Sequence, residues 1–287
     1  MKNIFTFLLL VVALPVWAQP KILASIKPLQ LIAQAVAGDH FRVDVLLPPG
    51  ATPHHYSLRP SDIEKITEPD LVLWLGRSAE PYLWKLANRS TLADKMFDVI
   101  PAEIRGQNLE DLHFWLGPKQ ALAMAIEISE RLKQLDPARR DDYQENLRQF
   151  ERQIRDFNDG LKQRYSDSLP AYLVYHDGYR YFEAAAGIKH EGVISINPEI
   201  RPGARRVAQL RALVAQRQIS CIFAEPQADI KIIELIISQH RVKVIRSDPM
   251  ASTIKPDGSN YLAFLESIAE DFNQCQTDPA RQQWTHY

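Results

Sequence analysis

The segment YQENLRQFERQIRDFNDGL, residues 143–161, decides how the chain is built. Its apolar residues recur at spacings of four and three through charged sequence without proline, which predicts one long amphipathic helix. These residues are Tyr143, Leu147, Phe150, Ile154, Phe157 and Leu161. A coiled-coil dimer would show the same spacing, but the pattern lasts for under about three heptads. We therefore predict a rigid helix that links two lobes.

On both sides of this helix, short apolar runs alternate with helical patterns, which is typical of parallel sheets. We predict an α/β fold of two similar lobes with parallel-type sheets and a ligand in the cleft between them. The predicted boundaries are 19–137 for the N-terminal lobe, 138–167 for the linking helix and 168–287 for the C-terminal lobe. Ser61 and Asp62 resemble a helix start, with Glu64 completing a capping box. The apolar runs are KILASI (21–26), FRVDVLLP (41–48), LVLWLG (71–76), AYLVYH (171–176), GVISI (192–196), SCIFAE (220–225) and VKVIRSD (242–248).

The first eighteen residues predict export. Lys2 precedes an apolar run that is too short to span a bilayer, and Val16-Trp17-Ala18 suits cleavage after Ala18. The signal peptide is thus residues 1–18, and we expect a periplasmic protein. The alternative is an uncleaved membrane anchor. The formal net charge of -1, without basic clusters, favours neither nucleic acid nor an anionic membrane as a partner. We expect a monomer.

Cys221 and Cys275 are the only cysteines of the chain. After export they meet an oxidising compartment, so we predict one disulfide. In the chain-entropy model a loop of this length stabilises the fold by about 4 kcal/mol. Two metal-binding thiols are the alternative, but neither cysteine has a cysteine or histidine at a close ligand spacing.

Three histidines stand where a strand or loop meets a helix. His54 lies in GATPHHYSLRPSD (50–62), His113 precedes a predicted helix, and His176 ends the run AYLVYH. Imidazoles from separate loops commonly hold zinc, with a carboxylate or water as the fourth ligand. Asp248 is the tentative fourth ligand and Glu225 its competitor. The other histidines are predicted to be solvated: His40, His55, His190, His240 and His286.

The chain resembles the ZnuA-like zinc-binding proteins, which serve bacterial ABC importers in the periplasm. The motifs that carry this resemblance span nearly the whole mature chain: ASIKPL (24–29), GATPHHYSLRPSD (50–62), LHFWLGP (112–118), YHDGYRYFE (175–183), INPEIRPGARR (196–206) and CIFAEPQ (221–227). The resemblance implies a metal between two α/β lobes and delivery to a membrane permease with its ATPase. It implies that His54, His113 and His176 are the metal ligands, and it includes the Cys221 and Cys275 pair. His55 stands where relatives commonly have aspartate. It is a candidate for a side chain that supports the metal ligands without contacting the ion.

Manganese-binding relatives replace the third histidine with a carboxylate, so the histidine at 176 favours Zn2+ as the transported ion. Manganese or another divalent ion is the alternative cargo. A secreted zinc hydrolase is a further alternative, with Glu225, Asp248 or Glu183 as general base. The chain departs from the family in two places. The segment VIPAEIRGQNLEDL (99–112) lacks the histidine-rich loop, and Gly117 replaces a common aspartate.

Overall fold

The computed structural model describes residues 19–54, 56–101, 111–165, 169–195, 201–238, 240–257 and 260–276. Within these ranges the chain forms two four-stranded parallel sheets, one on each side of a long helix. The predicted α/β fold with two lobes is therefore confirmed. The predicted signal peptide, residues 1–18, lies outside the described residues, and the domain boundaries stay predictions.

In the N-terminal lobe, the strand order is β2-β1-β3-β4. The strand β3 is buried at all four positions, as expected for a parallel strand that is covered on both faces. The short strand β4 pairs with β3 but had no counterpart among the predicted strands. The strands are β1 (Lys21–Ala24), β2 (Arg42–Val45), β3 (Leu71–Trp74) and β4 (Met96–Asp98). The helices are α1 (Lys27–Ala37), α2 (Pro60–Thr67), α3 (Gly76–Ala79), α4 (Pro81–Ala87) and α5 (Pro118–Leu135).

The C-terminal lobe repeats this topology with the strand order β6-β5-β7-β8. Its first strand is again central, so both lobes present the loops after corresponding strands at one sheet edge. The strands are β5 (Tyr172–Val174), β6 (Gly192–Val193), β7 (Cys221–Ala224) and β8 (Lys243–Arg246). The helices are α7 (Arg180–Ala186), α8 (Ala204–Gln216), α9 (Ile230–Ile237) and α10 (Asn260–Asn273).

The helix α6, Arg140–Arg164, confirms the predicted linking helix and extends three residues beyond the apolar pattern at either end. All six apolar residues of the pattern are buried. The helix packs against α1 and α5 of the first lobe and against α7 and α10 of the second. One hydrophobic core therefore runs through both lobes, because residues from both sheets belong to the same buried cluster.

The start of α2 differs from the prediction. The helix begins at Pro60, and Arg59 is its N-cap. The Asp62 carboxylate, rather than Glu64, reaches back to accept the backbone N–H of Arg59 at 2.9 Å. A proline at the first helical position has no N–H to satisfy, and this fixes the start one residue before Ser61.

Cys221 and Cys275 form a disulfide, as predicted. The bond joins β7 to the turn that follows α10, and both residues are buried. Among the described residues, no helix has both the length and the apolar character needed to cross a membrane.

Candidate metal centre

The three predicted histidines meet between the lobes. His54 lies in the loop between β2 and α2, His113 precedes the 3-10 turn Phe114–Leu116 that leads into α5, and His176 follows β5. One ring nitrogen from each lies within 4.8 Å of the other two. The Nε2 atoms of His54 and His113 are 3.1 Å apart. Tetrahedral zinc with bonds of about 2.0–2.1 Å places two ligand nitrogens about 3.3 Å apart, so this separation suits one shared ion.

Asp111 holds the ring of His113. Its Oδ1 lies 2.6 Å from Nδ1 of His113 and also accepts the backbone N–H of His113 at 2.9 Å. Both residues are buried. A carboxylate on Nδ1 fixes the tautomer in which the lone pair is on Nε2, and this arrangement is typical of histidines that bind metals. This role was not predicted, although the Asp-x-His spacing of the two residues is visible in the sequence.

Glu225 lies beside His176, but this contact is looser than that of Asp111 with His113. Its Oε1 is buried 3.3 Å from Nδ1 of His176 without a hydrogen bond among the described residues, and its Oε2 accepts a hydrogen bond from the side chain of Gln227. A carboxylate on Nδ1 lies beside the ring, turned away from an ion that is bound at Nε2. The geometry thus favours a role for Glu225 in orienting His176, rather than a role as fourth ligand of the metal.

Asp248, the tentative fourth ligand, does not join the three histidines. Its carboxylate accepts the backbone N–H groups of Met250 at 3.0 Å and Ser252 at 2.6 Å. Aspartate commonly bonds to backbone a few residues ahead in this way, and the turn after β8 has captured the side chain. Within the described part of the chain, the group that could hold a metal consists of the three histidines.

A polar and aromatic clamp fixes the loop of His54. Tyr56 donates a hydrogen bond to Asp62 at 2.8 Å. Its ring packs edge-on against that of Tyr82, with 5.7 Å between the ring centroids. Tyr82 in turn donates to Glu80 at 2.8 Å, and Glu80 also accepts the backbone N–H of Leu75 at 2.6 Å. The clamp therefore ties the ligand loop to the end of β3. His55, the candidate for a group beside the ligands, lies outside the described residues.

Burial controls the charge of the clamp. Glu80 is fully buried, and the loss of hydration raises its pKa to about 7, even though its hydrogen bonds act in the opposite direction. For Asp62, burial is again the largest influence, but the hydrogen bonds from Arg59 and Tyr56 outweigh it and lower the pKa. The clamp thus joins one carboxyl that is readily protonated to one that stays ionised.

Trp115 connects the His113 segment to the other lobe. Its indole Nε1 donates to the carbonyl of Pro249 at 2.7 Å, and its own carbonyl accepts from the hydroxyl of Tyr261 at 2.7 Å. The centroids of the Trp115 and His113 rings are 5.1 Å apart. Gly117, where relatives commonly have aspartate, packs so closely on Tyr181 that a Cβ would lie 2.8 Å from the Cβ of Tyr181. A side chain at 117 would displace this turn.

The remaining histidines differ in burial. His190, predicted to be solvated, is half-buried instead, and its Nδ1 lies 3.0 Å from both carboxylate oxygens of Glu183. Burial alone would lower its pKa, but the bond to Glu183 raises it. His40, also predicted to be solvated, is half-buried, and its Nε2 lies 3.0 Å from the carboxylate of Asp142, whereas His240 is exposed as predicted. His286 lies outside the described residues.

The chain is similar to zinc-uptake proteins over most of its length. The ZnuA family, described as "Zinc-uptake complex component A periplasmic", matches residues 22–275. The high-affinity zinc uptake system protein ZnuA of Haemophilus ducreyi is 33% identical, with 91% of this chain and 94% of that protein covered. The corresponding protein of Yersinia pestis is 31% identical, with 90% and 92% covered. A crystal structure of ZnuA superposes with a TM-score of 0.77 at 25% identity and covers 91% of this chain and 100% of that one.

Proposed function

Because the chain belongs to the ZnuA family, we propose that it captures Zn2+ in the periplasm and delivers it to the membrane permease of an ABC importer. The permease works with an ATPase, as is usual for such importers. The chain is exported with cleavage after Ala18. It acts as a monomer, since a single copy supplies imidazoles from both of its lobes to one centre.

The observation that carries this proposal is the meeting of three imidazoles from two lobes, with ring nitrogens within 4.8 Å of one another. His54 and His113 come from the first lobe and His176 from the second, so an ion bound to all three links the lobes. Neutral imidazole suits zinc better than it suits manganese, which prefers oxygen ligands. The ligand set therefore favours zinc as the cargo.

The geometry favours transport over hydrolysis. A zinc hydrolase needs a general base beside the metal-bound water. Of the three candidates, Glu225 contacts His176 and Gln227, and Asp248 accepts backbone amides of its own turn. Glu183 accepts the hydroxyl of Tyr172 at 2.6 Å and contacts His190. Asp248 and Glu183 are thus engaged by other groups, and Glu225 lies beside the ring of His176.

Competition titration of the metal-free protein against a chromophoric zinc chelator tests the proposal. Wild type is expected to bind one Zn2+, and alanine at His54, His113 or His176 is expected to lower the affinity by more than about 100-fold, beyond the effect of losing a group that only orients a ligand. His240→Ala is the matched control, because this histidine is exposed. Wild-type affinity in all three ligand variants would show that the site is elsewhere. Tighter binding of Mn2+ than of Zn2+ would show that the cargo is wrong.

A further inference from the structure

A cleft of about 550 Å³ opens between the lobes beside the histidines. Thr52 and Gln227 line both this cleft and the small cavity that contains His54, His113 and His176. The cleft is thus the approach to the metal centre, and we call it the vestibule. A zinc ion needs far less room, whereas pockets of about 300–1,000 Å³ hold small organic ligands.

The vestibule carries an excess of positive charge. Arg59, at the start of α2, lines it from the first lobe, and Arg201 lines it from the second. Asp229 is the one carboxylate among the lining residues of the described chain, and its Oδ2 lies 2.7 Å from Nε of Arg201. The Arg201 side chain is 76% exposed, so this ion pair is weak. A guanidinium has five N–H donors, and one such contact leaves it able to bind a further carboxylate.

The metal centre itself lacks a fourth protein ligand within the described residues. Three imidazoles leave one position of a tetrahedral zinc ion open. Of the two carboxylates beside these ligands, Asp111 is hydrogen-bonded to Nδ1 of His113, and Oε1 of Glu225 lies 3.3 Å from Nδ1 of His176. An oxygen from a bound molecule would complete the tetrahedron and reduce the charge of the neutral-imidazole complex.

Thr52 contributes a polar side chain to the boundary between the two cavities. The hydroxyl of Thr52 is buried and has no hydrogen-bond partner among the described residues. A buried hydroxyl without a hydrogen bond has lost its hydration without compensation. A hydrogen bond to a ligand oxygen would offset this desolvation cost. Thr52 lines both cavities, and its enclosed hydroxyl would have to rotate to reach a molecule that spans them.

We propose that the vestibule binds a small di- or tricarboxylate together with the zinc ion. One carboxylate oxygen takes the fourth coordination position, and a second carboxylate contacts Arg59 and Arg201. The inference rests on the proposed function, because the ion must be present to hold the first carboxylate. It implies that the cargo is carried as a zinc carboxylate complex.

Equilibrium dialysis with radiolabelled citrate as the probe tests this proposal on the mature protein, with and without one equivalent of zinc. The zinc-loaded protein is expected to bind one citrate and the metal-free protein none. Arg59→Gln and Arg201→Gln should each weaken citrate binding by about threefold to fivefold, as expected for the loss of a contact with an exposed guanidinium. Arg211→Gln on α8 is the matched control, because Arg211 is exposed and outside the vestibule.

The outcomes separate this proposal from the proposed function. Tight zinc binding without citrate uptake would overturn the vestibule proposal and leave zinc capture intact. Equal citrate binding by wild type and both arginine variants, or by the metal-free protein, would also overturn it. A wild-type protein that binds no zinc would instead overturn the proposed function. Direct zinc titration of Arg59→Gln and Arg201→Gln in a non-coordinating buffer should give wild-type affinity, which shows that the histidines are undisturbed.

Discussion

Replacing Asp111 with asparagine tests whether a carboxylate behind the ligand sets the affinity for zinc. Asp111 Oδ1 lies 2.6 Å from Nδ1 of His113 and accepts the backbone N–H of the same residue at 2.9 Å. Asparagine keeps an acceptor of the same shape, but it loses the negative charge that makes His113 a stronger donor to the ion. The change therefore alters the electrostatics of the ligand with little change in packing.

Loss of such a carboxylate typically lowers metal affinity by about 10–100-fold, or about 1.4–2.8 kcal/mol. Because asparagine retains the acceptor, we expect Asp111→Asn to fall near the lower limit, about tenfold. Asp111→Ala, which also frees the ring to rotate, should approach the upper limit. Chelator competition at fixed pH measures both affinities, and circular dichroism checks that the variants are folded.

Asp44→Asn is the matched control, because Asp44 lies on the edge strand β2 and pairs with Arg42 at the surface. Its affinity for zinc should equal that of wild type. If Asp111→Asn and Asp111→Ala both bind zinc within about twofold of wild type, the orienting role of Asp111 is refuted. If Asp44→Asn weakens zinc binding as much as Asp111→Asn does, the effect is one of net charge alone.

Four further outcomes are expected. Because burial raises the pKa of Glu80 to about 7 from the ordinary 4.5, the folded protein keeps a proton that the unfolded chain loses, and stability falls as the pH rises between these values. Urea unfolding of Glu80→Gln should lack this fall, about 3 kcal/mol, and an unchanged pH dependence would contradict it. Replacing both Cys221 and Cys275 with serine should cost about 4 kcal/mol in the same assay and leave zinc stoichiometry at one, whereas loss of zinc would contradict a purely structural disulfide. Tyr56→Phe should lower the free energy of unfolding by about 1 kcal/mol, because it loses the hydrogen bond to Asp62. An unchanged free energy of unfolding would show that this hydrogen bond does not stabilise the fold. Removal of zinc should speed hydrogen exchange in the loop 46–59 and leave exchange in α6 unchanged. Faster exchange in α6 with an unchanged loop would contradict release of the metal through movement of this loop.

The sequence predicted the elements whose pattern is long or whose position in the chain is distinctive. The helix α6 was recognisable because six apolar residues keep one face over more than five turns of charged sequence. The three histidines were recognisable because each ends a strand or precedes a helix, and because the family resemblance assigned them. The strand β4 was missed because three half-buried residues, Met96–Asp98, carry no periodic signal.

The roles of the carboxylates could not be predicted, because they depend on side-chain direction. Asp248 and Glu225 both follow a strand of the second sheet, and the sequence offers no means to choose between them. In the structure, Asp248 turns to its own backbone amides and Glu225 turns to His176. Local hydrogen bonds decided the first case and a contact over 49 residues the second. Neither depends on hydrophobic periodicity, which is the main signal in a single sequence.

The contacts between the lobes determine where release of the cargo has to begin. Separating the lobes widely would break the bonds from Trp115 to Pro249 and from Tyr261 to Trp115, and it would expose the apolar face of α6. Each large apolar side chain that is uncovered costs about 1.5–3 kcal/mol, so this movement is expensive. The loop of His54 is only half-buried and is held by the clamp at Tyr56. Moving this loop removes one of the three imidazoles and strains the clamp at Tyr56, while the apolar contacts of α6 stay intact. We therefore expect the permease to act on the His54 loop, while the lobes and the linking helix stay in place.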